Sequence, residues 1–491
     1  MVLTLSEKTW KAKRLEMIER YEETETREIF VKEEEIWRYL EETKNPDPQE
    51  VREILAKAYT LAGLGPRETA VLINTTDPDL LEEMYDMAWK VRRKVYGNRL
   101  VLFAPLYLSS ECVNNCIYCG FRAANKAMVR KTLNDQEIEE EVRALIRMGH
   151  KRLLLVYGEH PNSDVDYMVR SIARVYSIKE GPGEIRRVNV NAAPLTVEEY
   201  KEVHAVGIGT YQVFQETYHP ETYRKVHPKG DLKHSYKWRL FALHRAQEAG
   251  IDDVAIGVLF GLYDWRFEVM ATIYHALDME REFGVGPHTV SFPRLEPAIN
   301  TPFTYKSPYR IDDATLKKII AIYRLAIPYT GLILTAREPA ALRQELFKVG
   351  VSQTDAGSNI SLGGYSRRER GLEMQQFLIN DERTLDDFIY SAMQDGFIPS
   401  FCTACYRAGR TGDNFMPFAK TGLIQNFCTP NGYLTLKEYL LDYASEKTRQ
   451  LGEQHIQEYF REAEAKKPKM AALVKDYMRR IEEEGERDLY L

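Results

Sequence analysis

The sequence predicts a parallel α/β fold closed into a (β/α)8 TIM barrel, and three observations carry that expectation. Eight short β-rich apolar runs recur from about residue 99, separated by longer stretches of helical periodicity. Several of these runs begin apolar and turn polar only at their C-terminal ends, which is where a barrel places its chemistry. The chain has 491 residues, 44% of them hydrophobic, so a large core is available without disulfide staples.

The segment 1–97 reads as helical. Asp47-Pro48-Gln49-Glu50 has the pattern of a capping box with proline at the first helical position, and Asp77-Pro78-Asp79 repeats it. The charge runs here read as solvated helix faces, and the segment is assigned no chemistry. The barrel is expected over 98–380. Its runs start at Arg99, Arg152, Arg186, Gly209, Asp252, Pro287, Gly331 and Gly350. After about residue 380 the rhythm is lost, and 381–491 reads as a C-terminal extension that binds the second cysteine group's cluster and is not a second catalytic domain.

A net charge of -6 with both signs interspersed gives no basic footprint for nucleic acid or membrane. No apolar run approaches the roughly 20 residues of a membrane span, so a soluble, cytoplasmic protein is expected. The six cysteines fall into two tight groups, Cys112, Cys116, Cys119 and Cys402, Cys405, Cys428. Clustered cysteines in a large chain without a signal peptide point to metal binding or redox chemistry rather than to disulfides.

The first group, in SSECVNNCIYCGFR, has the spacing C-x3-C-x2-C directly after the first strand. Three thiolates can hold three irons of a 4Fe-4S cube and leave the fourth open to a cofactor. The rival is a zinc site completed by histidine, whose nearest downstream candidate is His150. The second group is spaced C-x2-C-x22-C. It reads equally as a cluster with one uncommitted iron or as a structural zinc or ordinary cluster completed by another ligand, with His455 the only histidine C-terminal to it.

The pattern C-x3-C-x-aromatic-C after a first barrel strand resembles the radical S-adenosylmethionine (SAM) superfamily. The resemblance implies a 4Fe-4S cluster on the first triad whose open iron binds the SAM amino and carboxylate groups. Gly158 and Glu159 then match the motif that meets the methionine ammonium. Tyr118 would lie beside adenine, Glu216 near the ribose, and Gly257 to Gly261 along the adenosyl group. Each has a plainer alternative in packing or ion pairing.

CTACYRAGRTGDNFM followed by Cys428, together with LFAPLYLS, RRVNVNAAP, VGIGTYQVFQETYH and GERDLYL, extends the likeness over most of the chain. It resembles the HydG family of FeFe-hydrogenase maturases, which are tyrosine lyases. Their relatives, 2-iminoacetate synthase and the tryptophan lyases, share the barrel but lack the full C-terminal signature. The family implies cleavage of the tyrosine Cα–Cβ bond to p-cresol and dehydroglycine. The latter becomes carbon monoxide and cyanide at a second 4Fe-4S cluster carrying a fifth iron, and leaves as an Fe(CO)2(CN)-cysteine precursor for H-cluster assembly. Cysteine as ligand of the extra iron, a reductant such as flavodoxin or ferredoxin, and the other hydrogenase maturases are the partners it implies.

A bound amino acid needs a cation for its carboxylate, and Arg294 and Arg337 stand near the ends of the sixth and seventh strands. The related lyases favour Arg337 with Ser358 as hydroxyl partner, and Tyr107 near the amino end. One of the two arginines is expected to pair with Glu296 or Glu338 instead. His288 is the candidate ligand of the extra iron, ahead of His275. Four positions depart from the pattern expected of the family: Glu296, Asp355, Ser110 and His160. The rival readings are a lyase of the 2-iminoacetate synthase type, which needs no second triad, and a non-catalytic iron-sulfur scaffold. If the two triads lie at opposite barrel ends, a connecting cavity would shelter a reactive fragment.

Overall fold

A computed structural model describes residues 4–367 and 371–491. Eight parallel strands form the barrel: β1 Arg99–Tyr107, β2 Arg152–Val156, β3 Arg187–Asn191, β4 Tyr211–Gln212, β5 Val254–Gly257, β6 Thr289–Ser291, β7 Gly331–Leu334 and β8 Gln353–Asp355. Each pairs with the next, and β8 closes onto β1 through Val101↔Gln353 and Phe103↔Asp355. All eight apolar runs therefore contain a strand. Most of their residues are buried, and β1, β2, β5 and β7 read as continuous apolar stretches, whereas Arg187-Val188-Asn189-Val190-Asn191 of β3 alternates and Gln353-Thr354-Asp355 of β8 is polar.

A ninth strand, β9 Ile398–Ser400, was not expected. It pairs in parallel with the N-terminal half of β1, Arg99↔Ile398 to Val101↔Ser400, along the edge that β2 leaves free, because β2 pairs only with Ala104 to Tyr107. The helix Leu385–Gln394 precedes it, so an αβ unit continues past residue 380. A two-stranded hairpin, Lys179–Glu180 with Gly183–Glu184, decorates the outside.

Five helices precede the barrel: α1 Leu5–Thr24, α2 Glu33–Glu42, α3 Pro48–Tyr59, α4 Pro66–Asn74 and α5 Pro78–Tyr96. Asp47 and Asp77 are the N-caps of α3 and α5, each followed by proline at the first position. The reciprocal half of the expected box at α3 is missing, because Glu50 pairs with Arg67 of α4. Among the described residues no helix is long and apolar enough to cross a membrane.

The N-terminal segment does not stand apart from the barrel mouth. Lys11 of α1 donates to Asp231 and to the carbonyl of Val113, in the loop of the first cysteine group. At the other end of the barrel, Cys402 follows β9, Cys405 lies in the short helix Ala404–Arg407, and Cys428 sits in the helix Gln425–Asp442.

Candidate active site

Cys112, Cys116 and Cys119 all line a cavity of about 230 Å³ at the C-terminal mouth of the barrel. All six cysteines of the chain are free. Burial pushes the Cys112 thiol up to about 11 and raises that of Cys116 further. Two amide N–H groups aim at sulfur: Asn114 Nδ2 lies 3.8 Å from Cys112 Sγ, and Gln376 Nε2 lies 3.4 Å from Cys119 Sγ. No histidine lines this cavity among the described residues. His150 packs edge-on against Phe401, away from the triad, and His227 is engaged by the Tyr118 hydroxyl at 2.8 Å. Three converging thiols, donors directed at two of them and no fourth protein ligand fit a 4Fe-4S cluster with one open iron.

The remaining wall of the cavity is polar at chosen points. A Cβ at Gly158 would collide with the Glu111 carbonyl, so only glycine lets the end of β2 approach the cysteine loop. Glu159 accepts from Asn114 Nδ2 at 2.6 Å, and burial raises its carboxyl. Glu216 has φ +70°, a left-handed conformation rare for a residue with a side chain. Burial opposes its charge, yet Lys233 Nζ at 2.5 Å and Arg239 at 3.5 Å hold its carboxyl below the ordinary range. Gly257 and Gly261 do not line the cavity. Their absent side chains make room for the Ser291 carbonyl and for Leu295, and Leu259 between them faces inward.

Arg337 lines the cavity, and its guanidinium stacks on Phe377, 3.3 Å from the ring centroid. It makes no ion pair among the described residues, and burial lowers its pKa from the usual guanidinium value. Arg294 does not reach the cavity. Its guanidinium donates to both Glu338 oxygens, at 3.1 Å and 2.6 Å, and lies 2.7 Å from Asp313, so the expected pairing of one of the two arginines falls on this one. Ser358 is also turned away, donating to Asp355 Oδ2 at 2.7 Å. Tyr107 is on the wall, with its hydroxyl 3.0 Å from Gln376 Oε1.

Two of the four departures face the same cavity: Glu296 and Asp355. Burial first, and Glu338 second, raise the Glu296 carboxyl, against which Arg337 and a 3.3 Å hydrogen bond from Asn380 act. The other two are packing residues. Ser110 donates to the Val129 carbonyl at 3.0 Å, and His160 lies 3.1 Å from Glu7 of α1. Sequence reasoning missed Gln376 and Phe377, which reach the cavity from a loop beyond β8, and α1, which backs the wall behind Glu159 through Trp10 and Arg14.

Cys402, Cys405 and Cys428 line a second, smaller cavity of about 40 Å³ at the N-terminal mouth. His288 faces it and His455 does not. Nε2 of His288 is 3.8 Å from Asp253, both of whose oxygens are buried without a hydrogen-bond partner. Arg99, Arg152 and Arg410 share the cavity, and Arg187 lies flat on its Tyr406, 3.8 Å from the ring centroid. The Ala404 N–H points at Cys402 Sγ at 3.4 Å, and burial pushes the Cys428 thiol up to about 12. This donor set also fits a cluster held by three cysteines. His275 lies elsewhere, buried with its Nδ1 2.7 Å from the Tyr218 hydroxyl.

The two cavities share no lining residue. On β1, β2, β6 and β8 they are lined by residues two or three apart: Val101 and Phe103, Arg152 and Leu154, His288 and Ser291, Gln353 and Asp355. A two-residue step is about 7 Å along a strand and joins consecutive inward-facing positions, so the two cavities are lined by neighbouring layers of the barrel interior.

Comparison with known proteins agrees with this geometry. Residues 106–273 match the radical SAM superfamily and residues 291–398 the biotin and thiamin synthesis associated domain. The chain is 31% identical to 2-iminoacetate synthase of Salmonella typhimurium over 70% of its own length and 88% of the relative. It is 48% identical to a crystal structure of HydG, a maturase of the FeFe-hydrogenase, with a TM-score of 0.91, covering 94% of this chain and all of that one. The HydG structure from Carboxydothermus hydrogenoformans is 37% identical with a TM-score of 0.78, covering 95% and 99%.

Proposed function

Because the chain belongs to the HydG family of the radical SAM superfamily, we propose that it cleaves tyrosine to p-cresol and dehydroglycine and converts the latter to carbon monoxide and cyanide at a second site. The product on this reading is an Fe(CO)2(CN)-cysteine precursor of the hydrogenase H-cluster. The observation that carries it is the pair of thiol triads at opposite mouths of one barrel, the first in the larger cavity beside Arg337, which makes no ion pair among the described residues.

When bound, a 4Fe-4S cluster at the first triad supplies the electron that splits SAM to a 5'-deoxyadenosyl radical, and a cluster at the second supplies the site for the carbon monoxide and cyanide chemistry. The rest falls to the chain. Glu159, held by Asn114, offers its carboxylate to the SAM ammonium, and Glu216 offers one to the ribose hydroxyls. Arg337 takes the tyrosine carboxylate in a two-pronged ion pair, its plane fixed by Phe377.

Attack at the substrate nitrogen needs a neutral amine, because an ammonium has no lone pair to stabilise the radical. Glu296 is placed to take that proton on a carboxylate oxygen: it is buried in the same cavity, its proton affinity is raised, and Asn380 bridges it to the Arg337 carbonyl at 2.6 Å. Asp355, held by Ser358 and Arg343, adds a second carboxylate on the amine side. The closed barrel keeps water and quenching groups from the radical. At the other mouth, Arg99, Arg152 and Arg410 suit anionic ligands such as cyanide and the carboxylate of a free cysteine, and His288, which lines the same cavity, would be the protein ligand of an extra iron. Transfer of the small fragment between the mouths requires the side chains that line the two cavities to move apart, because the cavities share no lining residue.

One anaerobic turnover tests the proposal: reconstituted protein with SAM, dithionite and tyrosine, assayed for p-cresol and cyanide together. Both products are expected. p-Cresol alone would leave the 2-iminoacetate synthase type of lyase, and intact SAM would leave the scaffold.

A further inference from the structure

The two triads differ in how their thiols are joined. Cys112, Cys116 and Cys119 sit in one short loop, whereas 22 residues separate Cys405 from Cys428, and a connection that long does not by itself fix the distance between two sulfurs. Cys402 is anchored directly to the helix Gln425–Asp442 that carries Cys428, because the Phe401 N–H donates to Thr435 Oγ1 at 3.2 Å. Cys405 is the least covered of the three, and it stands in a helix of only four residues, Ala404–Arg407.

Residues 487–491 return along the Cys428 helix and bond to both sides of this site. On the helix, the Arg487 guanidinium donates to both Asp442 oxygens at 2.8 Å and 2.6 Å, and the Asp488 N–H donates to Glu438 Oε1 at 2.8 Å. Leu491 exchanges two hydrogen bonds with Asn431: its N–H donates to Oδ1 at 2.8 Å, and its main-chain oxygen accepts from Nδ2 at 3.2 Å. Asn431 follows Cys428 by about one helical turn. On the other side, the Asp488 carboxylate pairs with Arg407, whose guanidinium also lies 4.2 Å from the centre of the Tyr490 ring, and the Leu491 oxygen accepts from Arg410 at 2.6 Å. Arg407 ends the Cys405 helix, and Arg410 lines the second cavity and donates its N–H to the Cys405 carbonyl at 2.8 Å. Arg186, just ahead of β3, fastens the assembly to the barrel, 2.7 Å from Glu438 and 3.0 Å from Asp488. Asp488 has φ +66°, a left-handed conformation that persists where the surroundings hold it, and here Arg186, Arg407 and Glu438 do so from three elements.

We propose that residues 487–491 clamp the Cys405 helix onto the Cys428 helix, so that Asp488 and Asn431 are positioning residues for the metal group at the second triad. Neither side chain lines the cavity. Asp488 acts through Arg407, and Asn431 acts through Leu491 and Arg410. This rests on the reading that the second triad holds a cluster.

The double variant Asn431→Ala, Asp488→Asn tests the clamp in the reconstituted holoprotein. Asparagine keeps the shape of aspartate and tolerates the left-handed backbone, so that exchange removes only the charge. Release of iron to bathophenanthroline is followed beside the EPR spectrum of the reduced protein, in which added SAM shifts the signal of the first cluster alone. Iron is expected to leave the second site at least about tenfold faster than in the parent, the scale of lost charge-assisted hydrogen bonds, and the SAM-insensitive signal to weaken. The ratio of cyanide to p-cresol falls with it, whereas SAM cleavage and p-cresol stay within about twofold. The control Asp476→Asn, which breaks an exposed pair with Arg479 on the helix Pro468–Glu483, changes none of these. An unchanged release rate overturns the proposal, and so does equal loss of iron from both sites with p-cresol falling in step, which would make the segment a support of the whole fold. If the parent shows no SAM-insensitive cluster signal, the reading of the second triad fails, and the rate at which iodoacetamide alkylates Cys405 and Cys428 then decides the clamp: faster in the double variant if the clamp holds them, equal to the parent if it does not.

Discussion

The two mouths of the barrel each present three thiols, at different spacings and in opposite surroundings. The first opens into about 230 Å³ walled by carboxylates as well as by Arg337, and the second is about 40 Å³ with three arginines beside the sulfurs. One is large enough to hold an organic substrate and has groups for both ends of an amino acid. The other admits only small ligands and favours anions. The difference teaches that three thiols mark a place for a metal group, while the neighbouring side chains decide which ligands can join it.

The largest expected effect separates the mouths by removing one thiol from each. Cys119→Ala is expected to reduce SAM cleavage, p-cresol and cyanide all to background, whereas Cys428→Ala retains p-cresol and loses cyanide. Quantifying both products in one quench checks this, and equal loss of both in Cys428→Ala would sink the division of labour. Next comes Glu296→Gln, expected to lower kcat for p-cresol by about 10²-fold, the scale of a lost general base. The sign in pH follows from its raised carboxyl: the parent rate falls as pH drops through a pKa above the usual carboxylate range, and that acid limb disappears in the variant.

Arg337→Gln sharpens the comparison further. Loss of a charge-assisted hydrogen-bonded pair of about 1.5–3 kcal/mol predicts a KM for tyrosine raised about 10- to 100-fold, with SAM cleavage in the absence of tyrosine unchanged. The smallest effect is expected at His288→Ala, a severalfold fall in the ratio of cyanide to p-cresol with the p-cresol rate itself unaffected. A change in p-cresol there would mean that the second mouth feeds back on the first.

Legibility in the sequence followed the range of the forces involved. β1, β2, β5 and β7 were readable as continuous apolar runs, and the first cysteine group by its tight spacing in one loop, whereas Cys428 joins Cys402 and Cys405 from a separate helix. β9 was not, since Ile398-Pro399-Ser400 is three residues with a proline and gets its place only from the free edge of β1. Arg294 and Arg337 looked alike in sequence. What separates them is that Glu338 lies across the neighbouring strand from Arg294, while Phe377 arrives from a distant loop to cover Arg337. Ser358 was misplaced for the same reason, because its hydroxyl found Asp355 first.

Strand β1 ties the two mouths by a single covalent element: its last residues lead into the first triad's loop, and its first residues pair with the strand that leads to Cys402. Nine extended residues span about 30 Å. A single fragment released within a sphere of that radius is present at an effective concentration on the order of 10 mM, far above the micromolar level it would reach by diffusing away from dilute enzyme. On the proposed two-site reading, the second mouth then needs only weak intrinsic affinity for the fragment, and a small cavity with a few cations suffices.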